Sequence, residues 1–409
     1  MFSDFNFNIN NIGPINEANI QIGKVNVIGG LNSTGKSTAS KLLYCFLKGN
    51  VKDRKNFAFN LISRSIRNVI IHSDLDNYQK IRKNDDINTL LGLYSDIRNE
   101  ILTSSDSNFK NDSIHDEILK IDKQIKIIDK NDNNLYYSIL NNLLSSEFSS
   151  QNVGGKVELN GSFKDNEFNY IFKFDESEPI LSGFFTINDI FYIDSFSILD
   201  VESIRLKTKL PERIDYLTKS LSSEADESSE FLDKEINKKI IDVESKINKL
   251  INGKFESKNN RFSFVTAEGN KSNMDNTSSG IKQIGIIQIL LANRKLKENC
   301  FLIIDEPEVN LHPEWQFKFA EILVILAKEL DITIYLNSHS PTFIESIDAF
   351  CEFYGMEKYV NYYLTQESEI EGKYDFIEVN SNELYKIYDN LGDVYKLIDN
   401  LRIRKRLNK

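Results

Sequence analysis

Residues Gly30-Leu31-Asn32-Ser33-Thr34-Gly35-Lys36-Ser37 fit the spacing G-x-x-x-x-G-K-S, and they sit where the chain changes character. Before them, Lys24–Ile28 is a short apolar run ending in Gly29-Gly30. After them, Ala39, Leu42, Leu43, Phe46 and Leu47 fall on one helical face. A strand, a glycine turn and a helix thus share residues 24–48, which is the context this spacing needs. The turn's backbone N–H groups and the positive end of the helix dipole converge on one point, and such a point cradles phosphate. The anion-binding set is Gly30, Asn32, Ser33, Thr34, Gly35, Lys36, Ser37 and Thr38. Lys36 is expected to bring a cation to the β- and γ-phosphates, and the Ser37 hydroxyl to ligate Mg²⁺.

Three further segments carry chemistry. Phe301-Leu302-Ile303-Ile304-Asp305-Glu306-Pro307 reads as a buried strand ending abruptly in two carboxylates. By itself that pattern is common. Beside a phosphate loop, Asp305 is expected to hold Mg²⁺ through its water shell, and Glu306 to polarise a water attacking the γ-phosphate. Ile332-Thr333-Ile334-Tyr335-Leu336-Asn337-Ser338-His339 reads as another strand, closed by an imidazole that can reach the same phosphate. Asn276-Thr277-Ser278-Ser279-Gly280-Ile281-Lys282-Gln283 opens a helix expected over Gly280–Leu296. Small hydroxyls there are ordinary caps and equally an anion site.

The rest of the chain organises around these segments. Phe5–Ile9 and Ala18–Ile22 alternate as strands around Gly13-Pro14. Residues 57–150 are rich in Ile, Leu, Asn, Asp and Lys and show helical spacing at Ile114, Ile118, Ile121 and Ile125. Lys156–Phe174 alternates as two strands around Lys164-Asp165, and Ile190–Ile193 is a further strand. Glu212–Ile251 is a second charged helical stretch, broken by the acidic, serine-rich run Ser222–Glu230, and Gly253–Thr266 returns as a hairpin. Charged helical stretches of this kind are ordinarily packed bundles or solvated arms. The expected organisation is an amino-terminal lobe with the phosphate loop (1–56), a helical insertion (57–152), a β-subdomain (153–200), a helical arm insertion (201–252) and a carboxy-terminal lobe (253–409).

Composition excludes several classes. The 409 residues are 40% hydrophobic with 27 Phe and 17 Tyr, ample for a large core. Lys+Arg 50 against Asp+Glu 61 leaves a net charge of −11, which argues against a protein that coats nucleic acid with its whole surface. Cys45, Cys300 and Cys351 are isolated in sequence, and no Cys/His cluster has zinc-ligand spacing. With no apolar run approaching ~18 residues and no signal-peptide pattern at the amino end, a cytoplasmic protein without a membrane span is expected.

Taken together, the phosphate loop, the Asp305-Glu306 strand end, His339 and the Ser278–Gly280 helix start resemble the ABC-type P-loop ATPase heads. The branch is that of SMC, RecF and the OLD family, including the OLD-like AAA ATPases of prokaryotic anti-phage defence modules. The resemblance implies an α/β head with an antiparallel β-subdomain and two helical insertions. Ser278, Ser279 and Gly280 look like signature-loop residues that meet the γ-phosphate of ATP bound to another protomer. Asn310-Leu311-His312-Pro313 looks like the OLD-type continuation, His339 like the switch histidine, and Phe191–Ser195 like the strand that precedes the coiled arm. The signature departs from the usual Ser-Gly-Gly-Gln, and no Q-loop glutamine is assigned: Gln79 lies in the helical insertion, and Gln151 is only a weak candidate. The 70 residues after His339 hold no Asp-x-Asp, so the Toprim nuclease of OLD proteins is not expected here.

The function implied is ATP binding and hydrolysis with Mg²⁺ in a homodimer, or a larger oligomer built from it, whose heads sandwich ATP head to tail. The role implied is the sensor or scaffold of a defence system controlling a separate effector protein. A DNA-handling ATPase of the RecF/SMC kind and a non-hydrolysing ATP-gated scaffold are the alternatives, so DNA stays open as a ligand.

Overall fold

Strict alternation in Phe5–Ile12 (β1) and Ile15–Ile22 (β2) buries Phe5, Phe7, Ile9, Ala18 and Ile20 while Asn and Glu side chains alternate with them. Gly13, at φ +52°, turns the chain between the two strands. In contrast, Val25–Gly29 (β3) is buried at every position, as expected of a strand covered on both faces. The computed structural model describes residues 5–73, 87–103, 112–130, 132–148, 154–163, 166–174, 179–194, 211–223, 234–258, 261–273 and 279–387.

Among the described residues, helix α1 (Lys36–Lys48) is followed by α2 (Arg54–Ser73), α3 (Ile87–Thr103), α4 (Asp112–Lys130) and α5 (Asp132–Glu147). Strands β4 (Lys156–Phe163), β5 (Asn166–Lys173), β6 (Ile180–Ser182) and β7 (Asp189–Ile193) follow, then α6 (Glu212–Ser222) and α7 (Lys234–Leu250). The hairpin β8 (Gly253–Lys258) and β9 (Arg261–Thr266) is joined by β10 (Lys271–Asn273). Next are α8 (Ser279–Ala292), β11 (Cys300–Asp305), α9 (Pro313–Glu329), β12 (Thr333–Ser338), α10 (Pro341–Phe353), β13 (Val360–Glu367) and β14 (Tyr374–Val379).

Contacts divide the chain into two compact units, Lys48–Ser146 and the remainder. In the smaller unit the helices bury Ile118, Ile121, Tyr136 and Ile139. Tyr94 Oη donates to Ile118 O and to Asp122, which also pairs with Arg98.

The larger unit holds one eleven-stranded sheet, in the order β6-β5-β4-β1-β2-β14-β13-β3-β12-β11-β7. Five neighbouring strands, β13, β3, β12, β11 and β7, run parallel, and beyond β13 the sheet continues through antiparallel pairs broken by one parallel pair, β14 with β2. The β-subdomain expected from sequence is therefore an extension of the main sheet. The β13 strand, which no sequence pattern above marks, lies in the parallel core directly beside β3. Ile247, Ile287, Leu302, Leu323, Leu336 and Ile347 share one apolar cluster on α7–α10, β11 and β12, each contributing about 1.5–3 kcal/mol by burial.

The helix expected over Gly280–Leu296 stops at Ala292. Arg294 turns left-handed (φ +56°), and the Lys295 and Leu296 N–H groups both return to Leu290 O, closing the helix end. Among the described residues no helix is long and apolar enough to cross a membrane.

Candidate functional site

The order β11-β12-β3 places a strand between the one carrying the phosphate loop and the one ending in carboxylates. In register, Ile304 faces Leu336 and Asp305 faces Asn337 across β11 and β12. Ile28 faces Asn337 and Gly29 faces Ser338 across β12 and β3. All three strands run the same way, so the loop, Asp305-Glu306 and Ser338-His339 emerge at one edge. Ligands bind at that edge, outside the carboxyl ends of the strands, in open α/β sheets.

The loop itself is sterically specified. Gly30 has φ +153°, and a Cβ there would stand 1.8 Å from Thr365 Oγ1 on β13. Gly35 has φ +98°, and its Cβ would meet Ile15 at 2.6 Å. Between them Ser33 is left-handed at φ +66°. Thr34 Oγ1 donates to Leu31 O and accepts from Thr365 Oγ1, both within 2.9 Å, so β13 braces the loop from below. Thr365 was not legible as part of the site, because nothing in its own segment announces that β13 lies beside β3.

Lys36 is buried, and its Nζ donates to Gly30 O at 2.8 Å and Leu31 O at 2.6 Å. Burial lowers its pKa, and the charges of Asp305, Glu306 and Glu308 oppose that shift. Asn32, Ser33, Gly35, Lys36, Ser37, Thr38 and Glu306 line, with Pro14, a cleft of about 300 Å³.

Asp305 sits in a closed ring of hydrogen bonds. Asn337 Nδ2 donates to Asp305 Oδ1 and to Ser40 Oγ, both at 2.9 Å. Ser40 Oγ lies 2.9 Å from Tyr192 Oη, which donates to Asp305 Oδ2 at 3.2 Å. Burial pushes the Tyr192 phenol well up, so it stays a neutral donor. Both carboxylate oxygens of Asp305 are thereby held from behind. Asn337 and Tyr192 lay within strands quoted from the sequence, but an alternating pattern does not say which buried polar residue meets which carboxylate. The guanidinium of Arg213 stands 5.3 Å over the Tyr192 ring and pairs with Glu147 and Asp194.

Glu306 is left-handed at φ +54°, an uncommon conformation outside glycine, and its N–H donates to Asn337 O at 2.9 Å. That kink turns its side chain, 40% exposed, toward His339, with Oε1 3.7 Å from Nδ1. The structure therefore gathers the loop residues, Asp305, Glu306 and His339 at one edge. Ser279 and Gly280 are the first residues of α8. Ser278, Gln79 and Gln151 lie outside the described residues. His312 caps α9, its Nδ1 accepting from the Glu314 N–H at 3.4 Å, with Pro313 in the first turn.

Comparisons bear on these observations. The SMC head domain from Thermotoga maritima is similar to this chain with a TM-score of 0.42 and 10% identity, over 92% of this chain and 99% of that one. The SMC head bound to the C-winged helix domain of ScpA is similar with a TM-score of 0.47 and 11% identity, over 93% and 98%. No curated protein sequence matches. The profile of the AAA ATPase domain matches residues 5–344, from the first strand to the start of α10. That span takes in the phosphate loop, both carboxylates and His339, and by it the chain belongs to the AAA ATPase domain family.

Proposed function

We propose that the cleft binds ATP with Mg²⁺ and that the chain hydrolyses it between two copies of itself. The observation that carries this reading is the single edge at which Lys36, Asp305 and Glu306 meet around a glycine-built cradle. A Cβ at Gly30 or Gly35 would collide with its neighbours, so the loop keeps its backbone N–H groups open to a phosphate. Lys36 would neutralise the β- and γ-phosphates.

Among the described residues no cluster of three or more His, Cys, Asp and Glu is arranged to hold a metal alone. Hard oxygen donors from Ser37 and Asp305 nevertheless suit Mg²⁺, which keeps waters and takes its remaining ligands from phosphate. When bound, it would offset phosphate charge. Glu306 would orient and deprotonate the attacking water, and His339 would meet the γ-phosphate. Buried Lys36, with two carbonyls as partners, gives up little mobility on meeting an anion.

The Ser278–Gly280 segment of one copy would close over the nucleotide of the other, with hydrolysis resetting the pair. The role that fits such a cycle is a sensor or scaffold that controls a separate effector in a defence system of the OLD-like kind. Three measurements test the reading. Phosphate release should require Mg²⁺ and ATP, and sedimentation should show a doubled mass with non-hydrolysable ATP and a single mass with ADP. Ser278→Arg should keep ATP binding and lose the doubled mass. Failure to bind ATP overturns the reading; binding and pairing without phosphate release would favour the ATP-gated scaffold.

A further inference from the structure

Glu308 has entered so far only through its charge at Lys36, yet it is more confined than the neighbouring Glu306. Its side chain is 4% exposed against 40% for Glu306. One oxygen, Oε1, accepts from Ser338 Oγ at 2.8 Å, His339 N at 2.6 Å and Ser340 N at 3.0 Å. The turn from β12 into α10 is therefore wrapped around a buried negative charge. Ser340 Oγ extends the grip by donating to Gln316 Oε1 at 2.9 Å on α9.

Glu308 Oε2 and His339 Nδ1 are buried atoms that lack a hydrogen bond among the described residues. One is an acceptor, the other becomes a donor when protonated, and buried polar atoms left unpaired are uncommon. The imidazole nitrogen lies 3.2 Å from Glu308 Oε1 but 3.7 Å from Glu306 Oε1.

We propose that Glu308 is the positioning residue of His339, forming with it a carboxylate–imidazole dyad that keeps a proton on Nδ1 and leaves Nε2 to meet phosphate. The inference rests on the reading of His339 as the residue that meets the γ-phosphate. Glu306 competes for the same nitrogen, but it is more exposed and more distant, and screening by water weakens its hold. The other charges in reach are Lys36 and Asp305, which share an electrostatic environment with both glutamates. Ser338, Ser340 and Gln316, contributed by β12, α10 and α9, are neutral. Burial raises the pKa of the Glu308 carboxyl, against the lowering effect of the His339 N–H and imidazole. What opposes that rise comes chiefly from the turn that carries His339.

The test separates this role from simple capping of the turn. With ¹⁵N-labelled histidine and His339→Gln to assign the signal, nucleotide-free protein should show neutral His339 protonated on Nδ1. A neutral Nε2–H tautomer overturns the proposal, and this arm needs no variant at the glutamate. Glu308→Gln keeps an oxygen for the three turn bonds while deleting the charge. It should move neutral His339 toward the Nε2–H tautomer in the same spectrum, with the melting transition preserved. An unchanged tautomer in the folded variant also overturns the proposal. Both readouts are independent of ATP turnover, so a chain that fails to hydrolyse ATP would remove the functional reading without touching the dyad.

Discussion

Asn337 and Asp305 stand opposite one another on neighbouring parallel strands, and the Asn337 amide donates to Asp305 Oδ1 at 2.9 Å while also reaching Ser40. This one side chain joins three elements: β12, β11 and α1. Asn337→Ala removes two buried hydrogen bonds and leaves Asp305 partly unpaired. The expected cost is about 1–3 kcal/mol in urea unfolding, together with weaker Mg²⁺-dependent nucleotide binding. Unchanged stability and binding would show that the ring does not hold Asp305.

Lys36→Ala should abolish ATP binding, because it deletes the cation that faces three carboxylates at the loop. Isothermal calorimetry checks this directly. Equal affinity in variant and wild type would overturn the loop's role.

For Gly30→Ala, the added methyl would have to displace Thr365 and hold a backbone angle that side chains rarely adopt. Calorimetry should register lost ATP binding while far-UV circular dichroism stays native. Thr365→Ala in the same background should rescue only in part, since the Thr365 Cβ still lies 3.0 Å from the new carbon. Full affinity in the single variant would show the loop to be more pliant than its contacts indicate.

Replacing Glu306 by Gln should preserve nucleotide binding and slow phosphate release by about 10²-fold or more, since the amide cannot take a proton from water. The same variant should accumulate as an ATP-bound pair in light scattering. Turnover at the wild-type rate would place the base elsewhere.

Arg213→Ala tests the buried pairings behind Tyr192. Glu147 has a side chain 2% exposed, and it would be left buried without its partner. The expected loss is about 3–5 kcal/mol in denaturant unfolding. A loss below about 1 kcal/mol would mean that water reaches Glu147 readily.

Much of this site was readable before any coordinates, because the residues concerned are fixed by local chemistry. Gly30, Gly35 and Lys36 follow from the loop spacing, and Asp305 and His339 from apolar runs that end in polar residues. Fold class followed from the resemblance that the four segments carry together. What stayed hidden depends on which strand lies beside which. Thr365 matters because β13 enters the sheet next to β3, a pairing across more than 330 residues that no local pattern encodes. Ser40, Tyr192 and Asn337 looked like isolated polar residues in apolar stretches until the register placed them around Asp305. The end of α8 was overrun because Leu296 continues the apolar pattern, while the left-handed turn at Arg294 is set by tertiary packing.

The intervening strand β12 has one more consequence. Neighbouring strands lie about 4.8 Å apart, so β3 and β11 are separated by roughly twice that distance. A lysine from one and an aspartate from the other, placed on adjacent strands, would collapse into a salt bridge and neutralise the site in its resting state. Here Lys36 Nζ rests on its own loop's carbonyls, and among the described residues it makes no ion pair. The sheet acts as a ruler that keeps opposite charges apart, so that the field between them stays unspent until an anion and a cation arrive together.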